Sequence, residues 1–141
     1  MATDRATLQQ FYEQTHYTVL LPRQRLTFLI GKYSAKLDDL LHEHCGVTRN
    51  WAILTPYNPS SNLSDEDTNH VALMRLRREL DAASLKRFDT VNMSPEGEWH
   101  ELGFLVVDPP STEIKAAARR YRQNAYVAAK LGEAPQLVWM I

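Results

Sequence analysis

The chain has 141 residues, 44% of them apolar and 23% charged, with a formal net charge of −1. That length suits one domain with a core of its own. The near-neutral balance excludes a global field that would steer the chain to nucleic acid or anionic lipid. The one cysteine, Cys45, excludes an intramolecular disulfide and points to a reducing compartment.

The opening stretch MATDRATLQQFYEQ carries acids and glutamines and lacks the apolar core of a signal peptide. Apolar runs such as FLI and FLVV are too short to span a membrane. A cytoplasmic protein without membrane contact is expected. Leu8, Phe11, Tyr12 and Thr15 recur at helical spacing and predict a first helix over 5–15, within an N-terminal segment 1–16 that precedes a single domain at 17–141. YTVLL (17–21) and RLTFLI (25–30) read as strands, separated by a turn or edge at Pro22.

Ser34 is a good N-cap and Gly46 a good C′ residue, and Leu37, Leu40, Leu41 and His44 mark the apolar stripe of a second helix between them. WAILT (51–55) reads as a buried strand. Ser64 is expected to cap the third helix, with Asp67 in the capping-box position and a stripe of Leu73, Leu76, Leu80 and Ala83. LKRFDTVNM (85–93) and EWHELGFLVV (98–107) read as strands around the turn Ser94-Pro95-Glu96-Gly97. Pro109 and Pro110 end the second, and VVDPP (106–110) reads as a strand stop. Ser111 is expected to cap a fourth helix carrying Ile114, Ala117, Ala118 and Tyr121. AYVAAKL (125–131) and QLVWM (136–140) close the chain as a hairpin. The pattern holds both hairpins and helical crossovers, which predicts an α+β domain, a mixed sheet with about four helices packed on it.

The stretch AILTPYNPSSNLSDEDTN (52–69) runs from a strand into a helix start. Free backbone amides gather at such elbows, and Ser60, Ser61 and Ser64 resemble a phosphate cradle. Asp65, Glu66 and Asp67 would repel a phosphate there, and no glycine-rich loop is present. A rigid turn fixed by Pro56 and Pro59 is one reading; a site in which Tyr57, Asn58 and Ser60 meet a polar, uncharged group is the other.

Asp65, Asp67 and Asn69 begin like a calcium loop, but His70 and Leu76 replace its glycine and glutamate. Of His42, His44 and Cys45, only His42 and Cys45 share a helix face, and no second ligand pair is evident nearby in sequence, so no metal or other cofactor is expected. Arg75, Arg77 and Arg78, and Lys115, Arg119, Arg120 and Arg122, read as solvated helix faces rather than a nucleic-acid platform.

One constellation crosses segments. Trp99 and Glu101 alternate along one strand and share a face, while Gln123 and Asn124 end the fourth helix. An indole, a carboxylate and two amides would make a polar pocket in which Glu101 is the candidate catalytic base. The plainer reading pairs Glu101 with an arginine such as Arg120. No Ser-His-Asp or Cys-His arrangement stands out.

Four runs then carry a resemblance: LIGKYSAKLDDLL, WAILTPYNPSSNLSDEDTN, EWHELGFLVV and ARRYRQNAYV. Together, over roughly residues 17 to 140, they resemble a bacterial family described only as a domain of unknown function. Its pattern is a Thr-x-(Tyr/Trp)-Asn-Pro elbow, a Leu-Ser-x-x-(Glu/Asp)-Asn helix start, a Trp-x-Glu strand and a Gln-Asn-Ala helix end. This sequence departs from it at Asp67-Thr68-Asn69, at Tyr121-Arg122 and near Gly103. The resemblance implies that elbow, strand and helix end belong to one recurring design, and it brings no known reaction.

Two functional readings follow. The first is a non-enzymatic interaction or regulatory module. Its C-terminal strand QLVWMI would pair with a second copy or a protein partner. The second is a small-polar-ligand-binding protein or enzyme with a pocket around Tyr57, Asn58, Trp99, Glu101, Gln123 and Asn124.

Overall fold

The computed structural model describes residues 4–141. The first three positions of the N-terminal segment 1–16 lie outside the described residues. Helix α1 (Arg5–Gln14) is followed by β1 (His16–Leu20), β2 (Arg25–Phe28), α2 (Ala35–Cys45) and β3 (Asn50–Leu54). A short 3₁₀ turn at Pro59–Ser61 leads to α3 (Glu66–Ala82), then β4 (Arg87–Met93), β5 (His100–Val107), α4 (Ser111–Arg120), β6 (Ala125–Lys130) and β7 (Gln136–Trp139).

The protein is an α+β domain built on one seven-stranded sheet in the order β2-β1-β4-β5-β3-β6-β7. All its ladders are antiparallel, so the expected mixed sheet has no parallel pair. The helical crossovers explain the difference. Helix α3 carries the chain from β3 to β4 past β5, and α4 carries it from β5 to β6 past β3. Each crossover joins strands that run the same way but sit one place apart, with an opposed strand between them. Strands β3 to β6 thereby form the split β-α-β-β-α-β arrangement of ferredoxin-like sheets. Strands β1 and β2 extend it at one edge and β7 at the other.

Alternation along the strands divides the core in two. On the outer face Ala52, Leu54, Phe104, Val106 and Tyr126 pack on Leu76 and Leu80 of α3 and on Ile114, Ala117 and Ala118 of α4. On the inner face Tyr17, Val19, Trp51, Ile53, Leu105 and Val127 meet Leu37, Leu41 and Cys45 of α2. Strand β3 is buried on both sides, which is why its apolar run is continuous. The sheet curls around its inner face, and its two edges come together where the Gly31 amide donates to the Pro135 carbonyl at 2.7 Å. Helix α1 lies over the inner side, with Leu8 buried and Tyr12 packed on the inner cluster.

Helix α2 starts and stops where its residues predict. The Ser34 hydroxyl accepts from the Leu37 amide at 3.1 Å, and Gly46 takes the left-handed conformation (φ 79°). Helix α3 is capped by Asp65, whose carboxylate accepts from the Thr68 amide at 2.7 Å, and not by Ser64. Ser64 is held one step earlier, by Asn58. Helix α4 has no side-chain cap; Pro110 occupies the position, and Ser111 is already inside the helix.

Candidate functional site

The elbow begins where β3 leaves the sheet. Beyond Leu54 the chain crosses directly over Gly103 of β5: a Cβ on Gly103 would stand 2.2 Å from the Leu54 carbonyl oxygen. Only a residue without a side chain admits that approach. The Thr55 hydroxyl then donates to the Leu102 carbonyl at 2.7 Å and accepts from the Tyr57 amide at 3.1 Å, which turns the chain inward.

Asn58 is the centre of the elbow. It sits in the left-handed region (φ 49°), which Asn tolerates better than most residues. Its amide donates to Asn69 Oδ1, and its own Oδ1 accepts from the Ser64 amide and from Asn69 Nδ2, each at 3.0 Å. The Ser64 N–H can only donate, so it fixes the orientation of the Asn58 carboxamide. The Nδ2 end must therefore face Glu101, and it donates to Glu101 Oε2 at 2.9 Å. The turn after α4 braces the same loop, since the helix stops at Arg120 and leaves Gln123 and Asn124 beyond its end rather than in it. Gln123 Nε2 donates to the Tyr57 carbonyl at 3.0 Å, the Ser60 amide to the Arg122 carbonyl at 2.7 Å, and Asn124 Nδ2 to Ser61 Oγ at 2.7 Å.

Beneath the elbow and α1, on the inner face, lies a cavity of about 420 Å³. This falls in the size range of small-molecule sites. Its apolar wall is Ile53, Val127 and Leu137. Phe11 of α1 and Trp99 also border it, stacked on each other with ring centres 4.8 Å apart and planes 16° apart. A polar row crosses it: Tyr17, Asn92 and Glu101 are direct neighbours across β1, β4 and β5.

Glu101 is the unusual member of that row. Among the described residues, those lining the cavity include Glu98 and Glu101 but no Lys, Arg, His or Cys. The arginine expected to pair with Glu101, Arg120, instead lies 2.6 Å from Glu79 on the far side of the sheet. Burial without a counter-charge pushes the Glu101 carboxyl up to about 7, against the opposing pull of the Asn58 amide. Burial also raises the Tyr12 and Tyr17 phenols nearby, so both stay neutral. Asn92 is buried beside Glu101, and its Oδ1 has no hydrogen-bond partner among the described residues.

Four of the residues singled out in the sequence, Asn58, Trp99, Glu101 and Gln123, border this one cavity. Tyr57 is buried in the elbow, where its carbonyl accepts from Gln123; Ser60 is exposed in the turn, and Asn124 braces Ser61. None of these three is among the residues lining the cavity. Pattern reading passed over Phe11, Tyr12, Tyr17 and Asn92 as parts of the site. Only Asn92 carried a signal: in TVNM it is a polar residue at an inward position of a strand. The His42 ring is bonded to the Val47 carbonyl at 2.8 Å. Among the described residues no group of three His, Cys, Asp or Glu is placed to hold a metal ion, and no helix is long and apolar enough to cross a membrane.

No curated protein and no solved structure matches the chain. A family described as a protein of unknown function (DUF3293) matches residues 54–126, just over half of the sequence. That span runs from the end of β3 to the start of β6 and holds the elbow, Trp99, Glu101 and Gln123. The chain therefore belongs to the DUF3293 family, whose function is unknown.

Proposed function

We propose that the chain is a ligand-binding protein that holds a small, mainly apolar molecule inside the curled sheet, with its polar end against Glu101. The observation that carries this reading is the 420 Å³ cavity with a largely buried carboxyl whose partner among the described residues is one amide and no cation. Buried acids in a structural core are paired; one that is not, beside a hollow, is a site candidate. A carboxyl titrating near neutrality also suits proton transfer to or from a bound molecule. No nucleophilic thiol or histidine lines the cavity, so binding comes first.

The test is a ligand-detected NMR screen with a small fragment set, run on the wild type and on Leu137→Trp, which places an indole into the hollow from β7. Fragments should bind the wild type and lose their contact in the variant. A screen without hits, or hits that persist in Leu137→Trp, overturns the reading.

A second reading has one observation in its favour. Strand β7 pairs only with β6 and is an edge of the sheet, as a homodimer or partner-strand contact would require. Its near end is already joined to the opposite edge through Gly31 and Pro135, which shortens the free edge. A monomer by light scattering at every concentration removes self-association through it.

A further inference from the structure

We propose that the cavity selects an amine: a molecule with an N–H-bearing ammonium group on an apolar, preferably aromatic body, its nitrogen seated against the oxygen of Glu101 that Asn58 leaves free. The proposal rests on the ligand-binding reading above and narrows it.

Charge points first to a cation. Among the described residues the cavity is bordered by two acids, Glu98 and Glu101, and by no basic side chain. An anion entering it meets two acids and no lining cation among the described residues. Hydrogen bonding points the same way. Only Oε2 of Glu101 is bonded to a side chain among the described residues, and the buried Asn92 Oδ1 has no partner. Once ionised, the remaining Glu101 oxygen can only accept, so a group seated against it must donate. A quaternary ammonium has no N–H to give, which leaves protonated primary, secondary and tertiary amines.

The walls exclude a bare metal ion. Calcium needs six or more oxygens and magnesium keeps several waters, whereas the hollow offers one well-placed carboxylate between Ile53, Val127 and Leu137. An organic body is therefore part of the ligand. The indole of Trp99 and the ring of Phe11 supply flat apolar surface for it, and aromatic faces attract cations.

The groups facing Glu101 decide its charge. They are Tyr17 from β1, Asn92 from β4, Tyr12 from α1, Tyr57 and Asn58 from the elbow, and Glu98 ahead of β5. None is cationic. The carboxyl is therefore neutral in mildly acid solution and charged above about 7. An amine remains protonated across that interval, so its affinity must rise with pH as Glu101 ionises.

The test uses three probes of one shape: 2-phenylethylamine, 2-phenylethanol and 3-phenylpropionate, titrated into the full chain by calorimetry at about pH 6 and about pH 8. The amine should bind about tenfold or more tightly than the alcohol at the higher pH, the size of one charge-assisted hydrogen bond, with the carboxylate weakest. Amine affinity should fall several-fold at the lower pH, and the alcohol should show no such change. Glu101→Gln keeps an oxygen for Asn58 and removes the charge, so it should abolish both the preference and the pH dependence. If the alcohol or carboxylate matches the amine, or the preference survives Glu101→Gln, the amine assignment fails while the cavity stands as a site. If none of the three binds at either pH and the fragment screen is also empty, the ligand-binding reading fails and takes this proposal with it. The wild-type series decides the matter even where the variant does not fold.

Discussion

The two faces of the sheet bury comparable apolar clusters and treat their polar groups in opposite ways. On the outer face Glu79 accepts from the Tyr121 hydroxyl and pairs with Arg120 at 2.6 Å. On the inner face Glu101 has one amide partner and no counter-ion among the described residues. The buried side-chain polar atoms without a partner among the described residues are Trp51 Nε1, Thr90 Oγ1 and Asn92 Oδ1. All three residues belong to strand positions that face inward. A face built only for stability satisfies what it buries. The inner face departs from that rule, and of the three residues Asn92 lines the hollow.

The largest expected loss of stability lies on the outer face. Leu76 is 1% exposed between α3 and the sheet, and Leu76→Ala should cost about 2–5 kcal/mol of unfolding free energy. Denaturant titration measures the loss, and affinity at the cavity should not change. An equal loss of binding in folded protein would show that the two faces are coupled.

Glu101→Gln should act in the other direction, and by less. The carboxyl is raised from 4.5 to about 7 in the folded chain, so burial disfavours its charged form. Below the lower value it is neutral in both states and costs nothing. Between the two values the unfolded chain gives up its proton first, so stability falls as pH rises. Above about 7 the full cost, about 1–3 kcal/mol, is present. The glutamine variant should lack this slope and be the more stable protein in mildly alkaline solution. Unfolding followed by circular dichroism at several pH values reads it directly. A variant less stable than the wild type at alkaline pH would mean that the charged carboxylate is satisfied after all.

The smallest effect belongs to the rim. Phe11 is 46% exposed although it stacks on Trp99. Phe11→Ala should lower stability by only about 0.5–1.5 kcal/mol, the worth of an aromatic pair. It should weaken ligand binding more than it shifts the melting temperature. A large loss of stability would make α1 part of the core rather than a cover on the cavity.

Part of this contrast was legible in the sequence, and part was not. Asn58, Trp99, Glu101 and Gln123 stood out because polar and aromatic residues at element ends have no place in an apolar stripe. Their meeting at one cavity required the elbow to cross Gly103. The Asn58 network was not readable, because its partners Asn69 and Glu101 are 11 and 43 residues away. Phe11 and Tyr12 looked like ordinary helix-face residues. Nothing in a helical repeat tells whether the stripe meets solid core or a hollow.

The sequence by itself determined the kinds and order of the elements, since periodicity, caps and turn residues act over a few positions. It set the Ser34 and Gly46 boundaries of α2, the hairpin between β4 and β5, and membership of the DUF3293 family. Only the tertiary structure decided strand order and direction. Each crossover helix skips one strand, and a long connection constrains which strands run alike without saying which of them touch. Tertiary packing alone also placed Arg120 beside Glu79 on the other face of the sheet, away from Glu101. The charge state of a carboxyl depends on what surrounds it in space, and most of those neighbours are distant in the chain.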